Sequence, residues 1–127
     1  MLSVLTYNIQ YGKKLTSIIQ WINYLPKLPD IICFQEFPEK RIKQFIQEIK
    51  NKKYKNQFTQ SLKKKNNTYG QLTIYDSIKL KVKENKSIEL NKSFIERIFS
   101  PNTINRKALI TSFEYHDKIF VLINVHL

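Results

Sequence analysis

The sequence has little of what marks secreted, disulfide-bonded or membrane-spanning proteins. Cys33 is the single cysteine, so no disulfide can form within the chain. No apolar run approaches the roughly 20 residues needed to span a bilayer. The N-terminus, MLSVLTYNI, lacks the basic start and the small-residue cleavage site of a signal peptide. A cytoplasmic protein is therefore expected.

Glycine and acidic residues are also scarce. With two Gly, four Pro and 42% hydrophobic residues, the composition fits one packed domain over residues 1–127 and not a disordered chain. Ten acidic residues stand against 22 Lys and Arg, which gives a net charge of +12. This excess favours a polyanionic partner, either nucleic acid or an anionic membrane surface. Since Lys, Ile and Asn are all frequent, compositional drift in an AT-rich genome explains the charge equally well.

Apolar periodicity predicts alternating strands and helices at the start of the chain. Strand, helix, strand, helix in this order indicates a βαβ unit with parallel strands. Further strands and a closing hairpin follow. Residues 77–105 have no clear pattern beyond a short strand near Ile88 and Leu90 and a helical turn in SFIERIF at 93–99. The predicted elements are strands at 2–9 and 30–36, helices at 15–25 and 42–49, strands at 56–62 and 70–75, and a hairpin at 106–127 turning at His116-Asp117.

Polar side chains occur where three predicted strands end. Side chains alternate between the two faces of a strand, and in each case an apolar row ends in a polar residue: Asn8, Glu36 or His126. In open α/β sheets, ligands bind at the carboxyl ends of strands. A buried carboxylate such as Glu36 is costly unless it is paired, protonated or bound to a metal. In the simpler interpretation, Glu36 reaches solvent or caps a helix, Asn8 forms a turn and His126 is solvated.

The same residues belong to a series of motifs. In chain order these are TYNI at 6–9, DIICFQE at 30–36, YGQLTI at 69–74, RKA at 106–108 and NVHL at 124–127. Together they resemble the N-terminal half of the endonuclease/exonuclease/phosphatase superfamily, which includes deoxyribonucleases, abasic-site endonucleases, neutral sphingomyelinases and inositol polyphosphate 5-phosphatases. The resemblance implies an α/β fold, half of a four-layer α/β sandwich with a mixed β-sheet and flanking helices, as in deoxyribonuclease.

The resemblance also implies chemistry. It suggests a Mg²⁺-dependent phosphoester hydrolase, with Mn²⁺ as an alternative cofactor. Glu36 is expected to bind the metal, Asn8 to lie beside it and His126 to contact the scissile phosphate. Arg106 and Asn124 are expected to bind substrate, although a surface ion pair explains Arg106 equally well. Mg²⁺ prefers oxygen ligands and keeps several waters, so one or two carboxylates suffice to hold it.

The basic residues are concentrated in the segment 40–65. Ten basic residues occur there against one acidic residue, Glu48. Tyr54 and Phe58 are interleaved with them, as in surfaces that combine phosphate contacts with base stacking. Lys63, Lys64 and Lys65 are the expected phosphate contacts. A solvated charged face is the alternative, and Tyr7, Trp21 and Phe34 are expected in the core.

The sequence departs from the family in lacking the motifs of its second half. There is no Asp-x-Asn motif and no Asp-His pair, and His116-Asp117 has the reverse order. The chain is therefore expected to be a truncated domain that is inactive alone. Because two helices cover only one face of a sheet, the other face is expected to self-associate or to need a second half. A nucleic-acid phosphodiesterase lineage is the leading function. The alternatives are a non-catalytic nucleic-acid-binding remnant and a phospholipid or small-phosphoester hydrolase.

Overall fold

The computed structural model describes residues 1–50, 53–91 and 106–126, so the helical turn predicted at 93–99 lies outside the described residues. Short 3-10 turns at Gln10–Gly12 and Glu39–Arg41 precede the two helices of this part of the chain. The helices and strands are β1 (Val4–Asn8), α1 (Leu15–Tyr24), β2 (Ile31–Pro38), α2 (Ile42–Glu48), β3 (Tyr54–Lys64), β4 (Asn67–Asp76), β5 (Lys81–Glu89), β6 (Lys107–Tyr115) and β7 (Lys118–Asn124). Neither described helix is long and apolar enough to cross a membrane.

The first sheet contains four strands in the order β1-β2-β4-β3. The predicted βαβ unit is confirmed, since β1 pairs with β2 in parallel, while β4 pairs antiparallel with both β2 and β3. The sheet is therefore mixed, as expected for this fold class. Gly70 in β4 is required by packing, because a Cβ there would lie 1.9 Å from the Thr59 carbonyl oxygen.

Both helices pack on one face of the first sheet. In α1 the buried residues follow helical spacing, and α2 buries Phe45 against the sheet. The ring of Phe45 lies 5.2 Å from that of Phe34 and 5.1 Å from that of Phe37. All three rings are fully buried, so truncating one to alanine should cost about 3–5 kcal/mol.

The other face of the first sheet is covered by a second sheet. This sheet has the order β5-β6-β7, and its Phe113, Phe120 and Leu122 pack with Ile31 and Tyr75 of the first sheet. The expectation that this face needs a second half to cover it was therefore wrong. It failed because the predicted hairpin, β6 and β7, joins β5 in a separate sheet that packs across the first sheet instead of extending it.

The outer face of the second sheet is apolar and exposed. On β7, Ile119, Val121 and Ile123 are 65%, 59% and 59% exposed. They alternate with the half-buried Phe120 and Leu122, so one strand carries apolar side chains on both faces. The exposed apolar face is thus this outer face and not the inner face of the first sheet.

We propose that this outer face causes self-association, and a pair of matched variants tests the proposal. Sedimentation velocity should show concentration-dependent association of the wild-type chain, because burying these side chains removes apolar area from water. Val121→Lys should shift the chain toward monomer. Ile78→Lys, at a 68% exposed position outside the sheets, should not do so. A wild-type chain that stays monomeric at every concentration would contradict the proposal.

Candidate active site

Three side chains meet at the carboxyl ends of β1, β2 and β7. Asn8 is the last residue of β1, Glu36 lies near the end of β2, and His126 follows β7 by two residues. Asn8 Nδ2 is 3.2 Å from His126 Nε2, and His126 Nδ1 is 3.6 Å from Glu36 Oε1. The structure therefore brings together the residues that the sequence marked as metal ligands and catalytic group, from both sheets.

A β-bulge directs Glu36 into this site. Phe34 pairs with Leu72 and Phe37 with Gly70, so two residues of β2 lie opposite the single residue Gln71. Glu36 itself has a φ of 57°, in the left-handed region. Phe34 and Phe37 consequently both face the helices, and the Glu36 carboxylate lies beside His126 of the second sheet. The expectation that Phe34 and Glu36 share a face was wrong, because simple alternation does not anticipate a bulge.

The turn after β1 holds the Asn8 side chain in one orientation. Asn8 Oδ1 accepts a 2.8 Å hydrogen bond from the backbone N–H of Gln10, so Nδ2 faces His126. Because an amide nitrogen only donates, His126 Nε2 accepts from it, and the ring proton lies on Nδ1, which faces Glu36. Asn8 is thus both the turn residue of the simpler interpretation and a member of the site.

Three consecutive residues of this turn are left-handed. Gln10, Tyr11 and Gly12 have φ values of 48°, 60° and 79°. Only glycine adopts this region without cost, and each of the other two should cost about 1–3 kcal/mol. A Cβ on Gly12 would lie 2.9 Å from Pro38 Cγ, so the turn packs closely against the end of β2. Strained backbone is thus concentrated beside Asn8 and Glu36, as is common at functional sites.

Asn124 holds the two sheets together beneath the site. It is 2% exposed, and its Nδ2 lies 3.2, 3.1 and 3.2 Å from Phe34 O, Leu72 O and Thr73 Oγ1 of the first sheet. Its Oδ1 accepts a 2.9 Å hydrogen bond from Gln35 Nε2. All its polar atoms are occupied inside the core. This position corrects the expectation that Asn124 contacts substrate directly.

The donor set fits a divalent cation that keeps most of its own water. Glu36 and Asn8 offer a carboxylate and an amide oxygen, which hard cations prefer. Gln71 Oε1 is buried without a hydrogen-bond partner among the described residues, and Gln71 lies opposite the Glu36 bulge. A cation-bound water would supply such a partner. Within residues 1–50, 53–91 and 106–126, however, no group of three or more His, Cys, Asp or Glu side chains could hold a metal ion.

Asp30 and Cys33 are excluded as alternative ligands of this site. The Asp30 carboxylate accepts hydrogen bonds from Ser3 N and Ser3 Oγ and pairs with Lys79. Burial raises its pKa, but the hydrogen bonds from Lys79 and Ser3 outweigh burial and hold the pKa below its usual value. Burial raises the pKa of the Cys33 thiol to about 11, so Cys33 is a small buried apolar residue, as expected.

The other predicted substrate-binding residues are exposed at the ends of strands. Lys64 contacts the turn after β1, with its Nζ 4.7 Å from the centre of the Tyr11 ring. Lys63 and Lys65 are exposed at the same end of β3. Arg106 is exposed next to β6, at the end of the second sheet that also carries His126, because Leu109 pairs with Asn124.

Several aromatic residues differ from expectation. Tyr7 and Trp21 were expected in the core but are 39% and 47% exposed, on a groove beside α1, whereas Phe34 is buried as expected. Tyr54 was expected to stack on bases but is buried and donates a hydrogen bond to Pro29 O. Phe58 packs against the core. Sequence periodicity did not predict which of these aromatic side chains are buried, because their burial depends on how the helices pack on the sheet.

Comparison with known proteins identifies the fold. No family model and no curated protein matches the sequence. Among solved structures, an endonuclease/exonuclease/phosphatase from Bacteroides vulgatus superposes with a TM-score of 0.70 at 20% identity, covering 99% of this chain and 52% of the other. ANGEL2, a 2',3'-cyclic phosphatase, gives 0.71 at 14% identity, covering 99% and 40%. D. rerio TDP2 complexed with a single-strand DNA product gives 0.62 at 15% identity, covering 96% and 44%.

The resemblance to the endonuclease/exonuclease/phosphatase superfamily is therefore confirmed at the level of the fold. The predicted α/β class is confirmed as well, with two sheets packed face to face and helices on one outer side. The chain spans about half the length, or less, of the solved structures it matches.

The site predicts weak cation binding that depends on the charge of Glu36. Mn²⁺ should broaden the NMR signals of Asn8, Glu36 and Gln71, and Glu36→Gln should abolish the broadening because the one carboxylate is lost. Affinity should be low, since one carboxylate and one amide leave most of the coordination shell to water. Glu39→Gln, in the exposed 3-10 turn that follows, is the matched control. Equal broadening in Glu36→Gln and the wild type would refute the assignment.

Proposed function

We propose that this chain, which has the endonuclease/exonuclease/phosphatase fold, provides one side of a divalent-cation-dependent phosphoester hydrolase site. Glu36 and Asn8 hold the cation, with Mg²⁺ the expected ion and Mn²⁺ the alternative, and His126 binds the phosphate. The observation that carries the proposal is the convergence of these side chains from both sheets within 3.2 and 3.6 Å of one another. A cation bound there supplies Lewis-acid polarisation of a phosphoryl oxygen.

The chain's own residues bind and orient the phosphate. His126 Nδ1–H is 3.6 Å from Glu36 Oε1, which is longer than a hydrogen bond, so this proton is available to a phosphate oxygen. A donor fixed in this way stabilises negative charge that grows in the transition state. Asn8 positions His126 through Nδ2, and the backbone N–H of Gln10 holds the Asn8 amide in place. Gln71 Oε1 can accept a hydrogen bond from a bound water.

Nucleic acid is the substrate class that the charge distribution supports best. The chain carries +12 overall. Of the ten basic residues in the segment 40–65, Lys63, Lys64 and Lys65 lie at the end of β3 that borders the carboxyl end of β2, whereas Lys55 lies at the other end of β3. Positive charge beside a phosphoester site attracts polyanions. The superposition on TDP2 with a single-strand DNA product is in keeping with this choice. The same charge would attract an anionic membrane surface, so a phospholipid is the alternative substrate.

A second candidate is a non-catalytic nucleic-acid-binding protein. It is favoured by one observation: among the described residues no third acidic, cysteine or histidine ligand completes a metal cluster. Asn8 cannot take up a proton, and Glu36 and His126 are both assigned to binding, so the described site contains no group to activate water. The same surface could then bind phosphates without cleaving them.

A chimera distinguishes the two candidates. We expect residues 1–127 alone to hydrolyse no bis-p-nitrophenyl phosphate above background with Mg²⁺, because the water-activating group is missing from the described site. Replacing the matched part of the Bacteroides vulgatus protein with these residues should give Mg²⁺-dependent hydrolysis. Glu36→Gln in the chimera should reduce the rate by more than the roughly 100-fold typical of losing an outer-shell partner, because the carboxylate ligand itself is lost. The control Glu39→Gln should leave the rate unchanged.

Two results would contradict the proposed function. Hydrolysis by the chain alone that disappears in Glu36→Gln would mean that the described site is already complete. A folded chimera that binds oligonucleotides with no Mg²⁺-dependent hydrolysis would favour the non-catalytic candidate.

A further inference from the structure

One surface cluster next to the candidate active site has no part in the chemistry proposed above. It consists of Tyr11, Tyr69 and Lys64, which come from the strained turn after β1, from β4 and from the end of β3. The Tyr11 and Tyr69 rings meet edge to face with centroids 5.2 Å apart, and Lys64 Nζ lies 4.7 Å from the Tyr11 centroid. This Tyr11 cluster is the contact through which the basic end of β3 reaches the site.

The backbone of Tyr11 is held in an unfavourable conformation to make this contact. Its φ of 60° is rare for a bulky residue, and Gly12 packs against Pro38, which pairs with Tyr69 across the sheet. The strain persists because the turn is fixed on both sides, by the Asn8 side chain and by Pro38. The fixed turn thus determines where the Tyr11 ring lies, against Tyr69 and beneath Lys64.

Tyr11 also lies within electrostatic range of the candidate cation ligand. Burial raises the pKa of its phenol, and the Glu36 charge and Tyr69 raise it further. Tyr11 therefore links the neighbourhood of Glu36 with Lys64, which lies over its ring. The positive charge at the outer end is oriented by a ring face, where a cation–π contact contributes about 0.5–1 kcal/mol at an exposed position.

We propose that Lys64, held over Tyr11, binds the phosphate next to the scissile phosphate of a single-stranded nucleic acid, and that Tyr11 is its positioning residue. This inference rests on the proposed function and names its substrate class. A phosphoester with a single phosphate cannot use such a contact, whereas a polynucleotide carries the next phosphate at a fixed spacing along the strand. Lys64 thereby distinguishes a chain of phosphates from an isolated one.

The adjacent lysine provides a matched control. Lys63 and Lys64 are neighbours on β3 with the same charge, and both are exposed. Because side chains alternate along a strand, Lys63 points to the opposite face from Lys64 and from its ring partner. A purely compositional charge would make the two lysines equivalent in binding, whereas the proposal makes them different.

The test measures binding of a fluorescent single-stranded DNA 12-mer by anisotropy, at several salt concentrations and without divalent cation. Lys64→Gln should weaken binding and lower the slope of log affinity against log salt by about 0.7, the value for one phosphate contact on a single strand. Lys63→Gln should leave the slope unchanged. Equal effects of the two substitutions, or no effect of Lys64→Gln, would overturn the proposal.

Variants of Tyr11 test its positioning role separately. Tyr11→Gly accepts the left-handed backbone without strain, so the fold is kept while the ring is lost. It should lower the salt slope as Lys64→Gln does, and the double variant should add nothing further, because the two residues act through one contact. Tyr11→Phe should restore wild-type binding. Additive losses, or loss of binding in Tyr11→Phe, would exclude the positioning role.

These measurements are independent of hydrolysis. If the chimera fails to hydrolyse but Lys64 and Lys63 differ in binding, the catalytic proposal fails and the nucleic-acid site stands. If the chimera hydrolyses a small phosphodiester while the two lysines behave alike, the site is catalytic but the proposed substrate contact is wrong.

Discussion

The buried amide of Asn124 is the interaction on which the arrangement of the two sheets depends. It joins the end of β7 to carbonyl oxygens of β2 and β4 and accepts from Gln35, so one side chain fixes the second sheet against the middle of the first. Each of these hydrogen bonds contributes about 0.5–1.5 kcal/mol net, and each partner left unpaired in the core would cost about 1–3 kcal/mol. Since His126 follows Asn124 by two residues, the same contact places the imidazole beside Asn8 and Glu36.

Strained backbone completes the site that Asn124 aligns. The left-handed conformations of Gln10 and Tyr11 aim the turn after β1, and that of Glu36 turns a carboxylate out of a strand that is otherwise buried. Each left-handed conformation costs about 1–3 kcal/mol of stability. At the bulge, the burial of the Phe34 and Phe37 rings on either side offsets this cost. Packing of Phe34 and Phe37 against the helices thus stabilises the bulge that places the Glu36 carboxylate on the opposite face of the sheet.

Much of the fold could be predicted in segments where apolar residues recur with the spacing of a helix or of a strand. The apolar spacing of α1, the run of β2 and the hairpin around His116 and Asp117 all indicated their elements, and the turn residues have the expected positive φ values of 49° and 59°. The polar ends of three strands also indicated where the site lies. These signals are local, because each depends on the pattern of buried and exposed side chains within a single helix or strand.

The remaining features depend on contacts between distant residues. The bulge at Glu36 lies between the pairs Phe34–Leu72 and Phe37–Gly70, which alternation along β2 does not reveal. The full extent of β5 was missed because its pairing with β6 is made by backbone atoms under a polar sequence. Asn124 is indistinguishable in sequence from an exposed strand-end amide. Its role comes from Phe34, Gln35 and Leu72, which lie more than 50 residues away.

The unfolding free energy of Asn124→Leu, read together with the contact between the His126 ring and the Asn8 amide, tests this account most directly. Urea unfolding should show a loss of about 2–4 kcal/mol relative to the wild type, since the hydrogen-bond partners are left buried and unpaired. In the folded fraction, the nuclear Overhauser effect between His126 and Asn8 should disappear. Stability within about 0.5 kcal/mol of the wild type, with that contact intact, would show that the sheets and the site are aligned without Asn124.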